Sequence, residues 1–269
     1  MKPLARHFLL LSTLVLPALA LLPHEPPEIH CKHFFWGYPT GAPASNDMII
    51  REALALSNND ETKFADWVCY KLNPSMIWDT TDPERKWRSD PWLEESETLE
   101  ASDYTKASDE LDVDRGHQAP LASFKSTLFS RQTNFLSNIT PQAKGLNQGP
   151  WKNLEESVRD LVRTNREVWV MTGPLYESDM DPLPRADEGH RIPSGYWKIV
   201  AIGKRGKTSG LKVTGFIMSQ DTERGADFHE FRVRVDEIES RSGLDFFREL
   251  PSHVETQVES VVGNWPLAE

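Results

Sequence analysis

Cysteine is scarce in this sequence, with two residues, Cys31 and Cys69, in a chain of 269. Two cysteines without paired histidines nearby argue against a structural zinc site, which needs four ligands. In an exported protein an even pair of cysteines favours one disulfide bond, and we therefore predict a Cys31–Cys69 disulfide. The alternative is a pair of unpaired thiols.

Long hydrophobic runs are also lacking, since no stretch stays apolar for the roughly 20 residues that a membrane-spanning helix needs. At the N-terminus, basic side chains precede an apolar run over residues 8–16, and Ala-Leu-Ala follows at 18–20. This order is typical of a secretory signal peptide, and the run is too short for a membrane anchor. We predict a signal peptide over residues 1–20, one domain over 21–269, and a secreted or periplasmic protein without a membrane partner.

Basic residues are fewer than acidic ones, 30 against 41, so the formal net charge is −11. This charge argues against a chain that binds nucleic acid with its whole surface. The charges are unevenly placed, however. Residues 94–114 are rich in carboxylates with Lys106 as their only basic residue, whereas basic residues recur over 125–166. The sequence therefore favours an acidic body with a locally basic cleft. A hydrophobic fraction of 38% and nine tryptophans exclude a chain that is disordered throughout.

The sequence does contain side chains suited to phosphodiester cleavage. His117 can take a proton from water near neutral pH. Asn147 offers a neutral carbonyl oxygen to a hard cation such as Mg²⁺, and arginines match phosphate oxygens with a forked set of donors. A lone histidine is more often a surface or packed residue. Glu155 and Arg159, four residues apart on a predicted helix, could equally form an ordinary surface ion pair.

Local patterns predict both helix and sheet. Residues 149–166 form the clearest helix, with Pro150 at its first position and apolar residues at helical spacing. Strands are predicted over 167–172, 195–202 and 211–219 from their β-branched and aromatic residues. Because strands outnumber helices, we predict an α+β fold built on a central antiparallel sheet with flanking helices.

An ordered series of motifs resembles the active-site region of the DNA/RNA non-specific endonucleases. These enzymes belong to the ββα-metal superfamily, and the similarity is greatest to its Serratia-type secreted nucleases. The motifs are DRGHQAPLASF at 114–124, NFLSNITPQ at 134–142, LNQGPW at 146–151 and NLEESVR at 153–159, with upstream similarity at 62–67 and 85–91. Several motifs in order are far more specific than DRGH alone.

The resemblance implies that His117 lies on a strand of a ββα finger beside the sheet and is the general base that activates water. It implies that Asn147 is the direct protein ligand of one Mg²⁺, with Mn²⁺ as an alternative, and that Glu155 holds metal-bound water. Arg85 would steady the charge that develops on the phosphate, with the neighbouring Arg88 as the alternative. The further implied residues are Arg115 in catalysis and Arg159 at the substrate. Asn138 is assigned either to the substrate or, with Asp114, to holding the site together.

The implied activity is hydrolysis of DNA and RNA with little base preference, leaving 5′-phosphorylated oligonucleotides, and the analogy also allows a homodimer. Two other function classes stay open. One is a secreted nucleic-acid-binding protein with the same fold and little activity, which an intact His117 and Asn147 oppose. The other is a hydrolase with paired carboxylates, such as a glycosidase, for which residues 94–114 offer candidates.

Overall fold

The structure is a computed structural model that describes residues 26–78, 85–164 and 166–267, so the predicted signal peptide lies outside the described residues. Its strands are β1 (Asp47–Ile50), β2 (Ala55–Asn58), β3 (Ala65–Leu72), β4 (Val113–His117), β5 (Ile139–Ala143), β6 (Val168–Leu175), β7 (Gly195–Lys204), β8 (Lys207–Ser219) and β9 (Arg232–Val233). Its α-helices are α1 (Ala107–Glu110), α2 (Lys144–Gln148), α3 (Pro150–Arg163), α4 (Val235–Ser242) and α5 (Ser252–Glu259).

A seven-stranded antiparallel sheet forms the centre of the molecule, in the order β1-β2-β3-β6-β7-β8-β9. The three strands predicted from composition are confirmed as β6, β7 and β8, and each extends beyond the predicted bounds. Antiparallel pairing supplies the extra length, because each added residue gains ladder hydrogen bonds to its neighbour. The predicted α+β class is therefore confirmed.

Both faces of the central sheet are buried. Along β3, Val68 and Tyr70 belong to one hydrophobic cluster, whereas Trp67 and Cys69 belong to a second. This alternation follows from the two-residue period of a strand, which turns successive side chains to opposite faces. It also explains why the central strands are apolar at nearly every position.

Helices cover the two faces of the sheet. The predicted long helix is confirmed as α3, with Pro150 at its N-terminus, and its apolar side packs into the first cluster. Helices α4 and α5 pack against β8 on the face of the second cluster. No helix among the described residues is both long and apolar enough to cross a membrane.

A ββα unit lies beside the sheet, as the resemblance implied. Strands β4 and β5 form a two-stranded antiparallel pair that places His117 opposite Ile139, and α2 and α3 follow directly. Gly116 is required at its position because a Cβ there would lie 2.7 Å from the Cβ of Gln142 on the partner strand. The glycine of the DRGH motif thus allows β4 and β5 to pair closely, immediately before the histidine.

The predicted Cys31–Cys69 disulfide is not present, because both cysteines are free thiols. Cys69 lies within β3 and is fully buried in the second cluster, where it packs as a small apolar side chain. Burial raises the pKa of both thiols, which disfavours the thiolate that disulfide formation needs. An even number of cysteines carries no information on their geometry, which explains the wrong prediction.

Candidate active site

A cavity of about 580 Å³ opens at the ββα unit. Seven of the residues singled out from the sequence line it, namely Arg85, Asp114, Arg115, His117, Asn147, Glu155 and Arg159. They come from the segment before β4, from β4 itself and from the two helices that follow β5. Side chains that lie up to 74 positions apart in the chain therefore meet around one space.

Asn138 does not line this cavity, which favours its role in holding the site together over its assignment to the substrate. Its side chain is 1% exposed, accepts a hydrogen bond from the Ala119 amide and donates to the carbonyls of Ala119 and Thr133. These bonds tie the segment after His117 to the segment before β5. The burial also makes this asparagine inaccessible to a phosphodiester.

Of the two upstream arginines, Arg85 lines the cavity and Arg88 does not. The backbone of Arg88 instead bonds to Asn134 and Leu136, and its side chain is exposed. Asp90 lies five residues after Arg85 and is buried. It forms an ion pair with Arg51 and accepts a hydrogen bond from the buried hydroxyl of Ser137 at 2.6 Å. This buried anchor holds the segment against the core.

His117 is at the end of β4, and its Nε2 lies 3.0 Å from the side-chain oxygen Oδ1 of Asn134. An amide oxygen only accepts hydrogen bonds, so Nε2 carries the ring proton and Nδ1 keeps its lone pair. Burial, with a smaller contribution from the charge of Arg85, lowers the pKa of His117 to about 4, and the bond to Asn134 opposes this shift. The ring is therefore neutral at pH 7 and able to accept a proton.

Asn134 is a site residue that the sequence analysis missed as a separate position. It lies within the quoted motif NFLSNITPQ, 17 positions from His117. A buried polar side chain that contacts a candidate base is a common feature of active sites, because it orients the ring and selects its tautomer. The motif NFLSNITPQ was the available signal for Asn134, but only its second asparagine, Asn138, was given a role from the sequence.

Asn147 is held by Asp114 on β4. Its Nδ2 donates to Oδ2 of Asp114 at 2.8 Å, and Gln148 donates to the same oxygen at 2.8 Å. Because the amide nitrogen is used in this way, the oxygen Oδ1 of Asn147 is the atom left for a cation. A neutral amide oxygen with a carboxylate, Glu155, lining the same cavity suits a hard ion such as Mg²⁺.

Glu155 has a cationic neighbour that the sequence did not reveal, the fully buried Lys198 of β7. The ammonium of Lys198 lies 4.5 Å from the ring centre of Trp151 and has no hydrogen-bond partner in the described part of the chain. Burial raises the pKa of Glu155 and lowers that of Lys198, and each charge opposes the shift of the other. Lys198 therefore favours an ionised Glu155.

Arg159 does not form the ion pair with Glu155 that was the alternative to a functional role. Its Nη2 donates to Glu156 at 2.7 Å, while its buried Nη1 has no partner among the described residues. A buried guanidinium nitrogen without a partner is costly unless a further acceptor binds to it. Arg159 thus keeps one donor for an anion in the cavity it lines.

The cavity is locally basic although the chain is acidic. Two more cations line it beyond the three arginines already named, Lys152 on α3 and Arg224 after β8, and the carboxylates that line it are Asp114 and Glu155. Five basic side chains against two acidic ones give a positive local potential, which attracts phosphate at close range. Arg224 was not predicted, since nothing in its local sequence marks it.

The acid limb of the pH profile is expected to lie well below the ordinary histidine pKa. A base works only when deprotonated, so a lowered pKa keeps His117 active at lower pH. At pH 5.5, kcat/KM should stay near its plateau, whereas a histidine with a pKa of about 6.5 would retain roughly one-tenth. Kinetics on a short oligonucleotide at constant ionic strength measure this. Arg85→Gln should move the midpoint of the acid limb to higher pH, because the charge of Arg85 lowers the pKa of His117. A midpoint at or above pH 6.5 in the wild-type protein would contradict the assignment of His117 as the base.

Lys198→Met is expected to lower kcat near neutral pH, with recovery at higher pH, because loss of the ammonium raises the pKa of Glu155 further and leaves less of its carboxylate ionised. Without the ammonium, Glu155 is protonated more readily. The matched control is Lys204→Met, at the exposed end of the same strand. Identical pH profiles for Lys198→Met and wild type would show that Lys198 only fills space.

A central antiparallel sheet with a ββα unit that carries His117 and Asn147 defines a ββα-metal nuclease. The family model of the DNA/RNA non-specific endonucleases matches residues 37–253. The chain therefore belongs to this family and is a nuclease.

Three relatives illustrate the range of similarity. The chain is 44% identical over 232 residues to a nuclease of Serratia marcescens, covering 86% of this chain and 85% of that protein. It is 28% identical over 222 residues to the mitochondrial endonuclease G of Homo sapiens, covering 77% and 71%. A solved EndoG/EndoGI complex has a TM-score of 0.67 at 22% identity, covers 81% of this chain and 90% of that one, and supports the fold alone.

Proposed function

We propose that this nuclease hydrolyses phosphodiester bonds of both DNA and RNA and leaves 5′-phosphorylated oligonucleotides. The observation that carries the proposal is the meeting of a neutral histidine, an oriented asparagine oxygen and several arginines around one cavity. Acid–base chemistry and phosphate binding need these groups within reach of one phosphorus atom.

In the proposed mechanism, Nδ1 of His117 removes a proton from a water molecule as the water oxygen forms a bond to phosphorus. The bond from phosphorus to the 3′ oxygen breaks, so the phosphate stays on the 5′ carbon of the next nucleotide. Arg85, Arg115 and Arg159 bind the non-bridging oxygens, on which negative charge increases. Glu155 accepts a hydrogen bond from water in the cavity and keeps that water in place.

Asn147 would hold Mg²⁺, or Mn²⁺ in its place, through Oδ1, with Glu155 contacting water around the ion. Bound there, the cation supplies a positive charge that stabilises the phosphate and the leaving oxygen. The chain contributes a single direct ligand in this proposal, which suits a cation that keeps most of its water shell.

Little base preference is expected because the cationic groups of the cavity suit phosphate oxygens. Contacts to phosphate position a nucleic acid without reading its sequence. The same contacts are available on DNA and RNA strands, so one site would serve both polymers.

We also propose export with cleavage after Ala20, on the strength of the basic, apolar and small residues at the N-terminus. Relatives named as mitochondrial nucleases show that the family is not confined to exported proteins. A homodimer remains a prediction from the resemblance.

Digestion of supercoiled plasmid DNA and of a long RNA, with Mg²⁺, with Mn²⁺ and with a chelator, tests the proposal. We expect both polymers to be cut with the metals, intact polymers with the chelator, and product ends that need phosphatase treatment before kinase labelling. Binding of DNA without cleavage in Mg²⁺ would support the alternative of a binding protein. The glycosidase alternative has weak support, since Asp114, one of the two carboxylates in the cavity, is held by Asn147 and Gln148.

A further inference from the structure

Three carboxylates converge on the face of the sheet opposite α3. Asp236 and Glu239 are on α4, and Glu259 is the last residue of α5. One oxygen from each lies within 4.8 Å of the other two. None of the three lines the active-site cavity, so the cluster is separate from the site for phosphodiester hydrolysis.

Glu259 is the unusual member of this cluster. Its side chain is 7% exposed, and its Oε1 is buried without a hydrogen-bond partner among the described residues. Burial and the charges of four neighbours, Glu239, Glu255, Asp236 and Asp245, together raise the pKa of Glu259 to about 8. A buried carboxyl surrounded by acids is destabilising unless a proton or a cation compensates the charge.

No basic side chain supplies that compensation in the described ranges. The ion pairs of the structure include none of the three carboxylates, and the nearby Arg241 pairs with Glu177 and Glu237 instead. Glu239 accepts one hydrogen bond from the backbone amide of Phe246, which fixes its direction. The cluster therefore combines one fixed carboxylate, partial burial and unbalanced negative charge.

We propose that Asp236, Glu239 and Glu259 bind a calcium ion that joins α4 to α5. The three oxygens lie within 4.8 Å of one another, so small movements of the side chains bring all three to the distance of about 2.3–2.6 Å at which oxygens bind Ca²⁺. The ligands are all carboxylates, which suit a hard cation, and water would complete the flexible coordination of Ca²⁺. Mg²⁺ fits less well, since it demands shorter distances and a regular octahedron.

The ion would attach the C-terminal helix to the rest of the molecule. Helix α5 has eight residues and few buried side chains, with Val254 and Val258 packed partly against the second cluster. So short a helix is marginal in isolation and depends on its tertiary contacts. A cation shared with α4 adds a contact that exists only in the folded protein and therefore raises the free energy of unfolding.

Calcium titration of the full chain tests this proposal without reference to activity. All proteins carry Asn147→Ala, so that the candidate cation ligand of the active site is removed. We compare this background with the same protein carrying Glu259→Gln, and with a matched control carrying Glu237→Gln, which removes a charge from α4 outside the cluster. Calorimetry measures binding of Ca²⁺, and thermal unfolding measures its effect on Tm.

We expect one Ca²⁺ to bind the background and the Glu237→Gln protein, with Tm raised by about 5 °C at saturation, and neither effect in Glu259→Gln. If Glu259→Gln fails to fold, Asp236→Asn replaces it with the same expectation. Loss of calcium binding in Glu237→Gln as well, or an unchanged Tm of the background in Ca²⁺, would overturn the proposal. The second result would mean that the carboxylates share protons only.

Discussion

Replacing His117 with alanine is expected to lower kcat/KM on duplex DNA by about 10²–10⁴-fold, the usual contribution of a positioned base. The neutral ring with a free lone pair on Nδ1 is the group in the cavity best suited to remove a proton from water at pH 7. The side chain is small and partly exposed to the cavity, so its loss should leave the fold intact.

The measurement is steady-state cleavage of a defined duplex at fixed Mg²⁺, with circular dichroism to verify folding. His229→Ala is the matched control, since His229 is exposed and outside the cavity, and it should retain full activity. Asn134→Ala should give a smaller loss than His117→Ala, because it frees the ring without removing it. Turnover close to wild type in a folded His117→Ala protein would refute the base assignment.

Asn147→Ala is expected to lower activity by on the order of 10²–10³-fold at millimolar Mg²⁺, because the only direct protein ligand proposed for the ion is lost. Part of the activity should return as the Mg²⁺ concentration is raised, since water can replace the amide oxygen. Wild-type protein should show saturation at lower concentrations. The Mg²⁺ dependence of kcat/KM therefore separates a ligand from a residue that only supports the fold.

Gln148→Ala provides the matched control for this experiment. Gln148 is the next residue on α2 and donates to the same oxygen of Asp114 at the same distance of 2.8 Å. Its removal costs an equal hydrogen bond and should change activity by only a few fold. If both variants lose activity equally with an unchanged Mg²⁺ dependence, the role of Asn147 is to hold β4 rather than to bind a cation.

Several elements of the fold could be read from local patterns. The predicted helix 149–166 and the strands later found as β6, β7 and β8 were recognised because their periodicity and composition are properties of neighbouring residues. The weaker alternation around residues 47–56 gave no prediction, and the structure divides it into β1 and β2. Those short strands are defined by pairing with β3, a contact between distant parts of the chain.

The residues of the candidate site also divide into those that the sequence indicated and those that only the tertiary structure revealed. The motifs indicated His117, Asn147 and Glu155 because the resemblance transfers residue types along the chain. Lys198 and Arg224 had no such signal, since each is a single charged residue within or after a strand. They belong to the site only because β7 and the segment after β8 fold beside α3.

What the sequence by itself determined is the family, the helix α3, the strands β6, β7 and β8, and the residue types available for cleavage. Tertiary structure decided that Arg85 lines the cavity while Arg88 does not, that Arg159 pairs with Glu156, and that the two cysteine sulfurs are not bonded to each other. It also decided the protonation of His117. Burial and charge at one side chain depend on atoms that approach from remote positions, and local sequence carries no record of those distances.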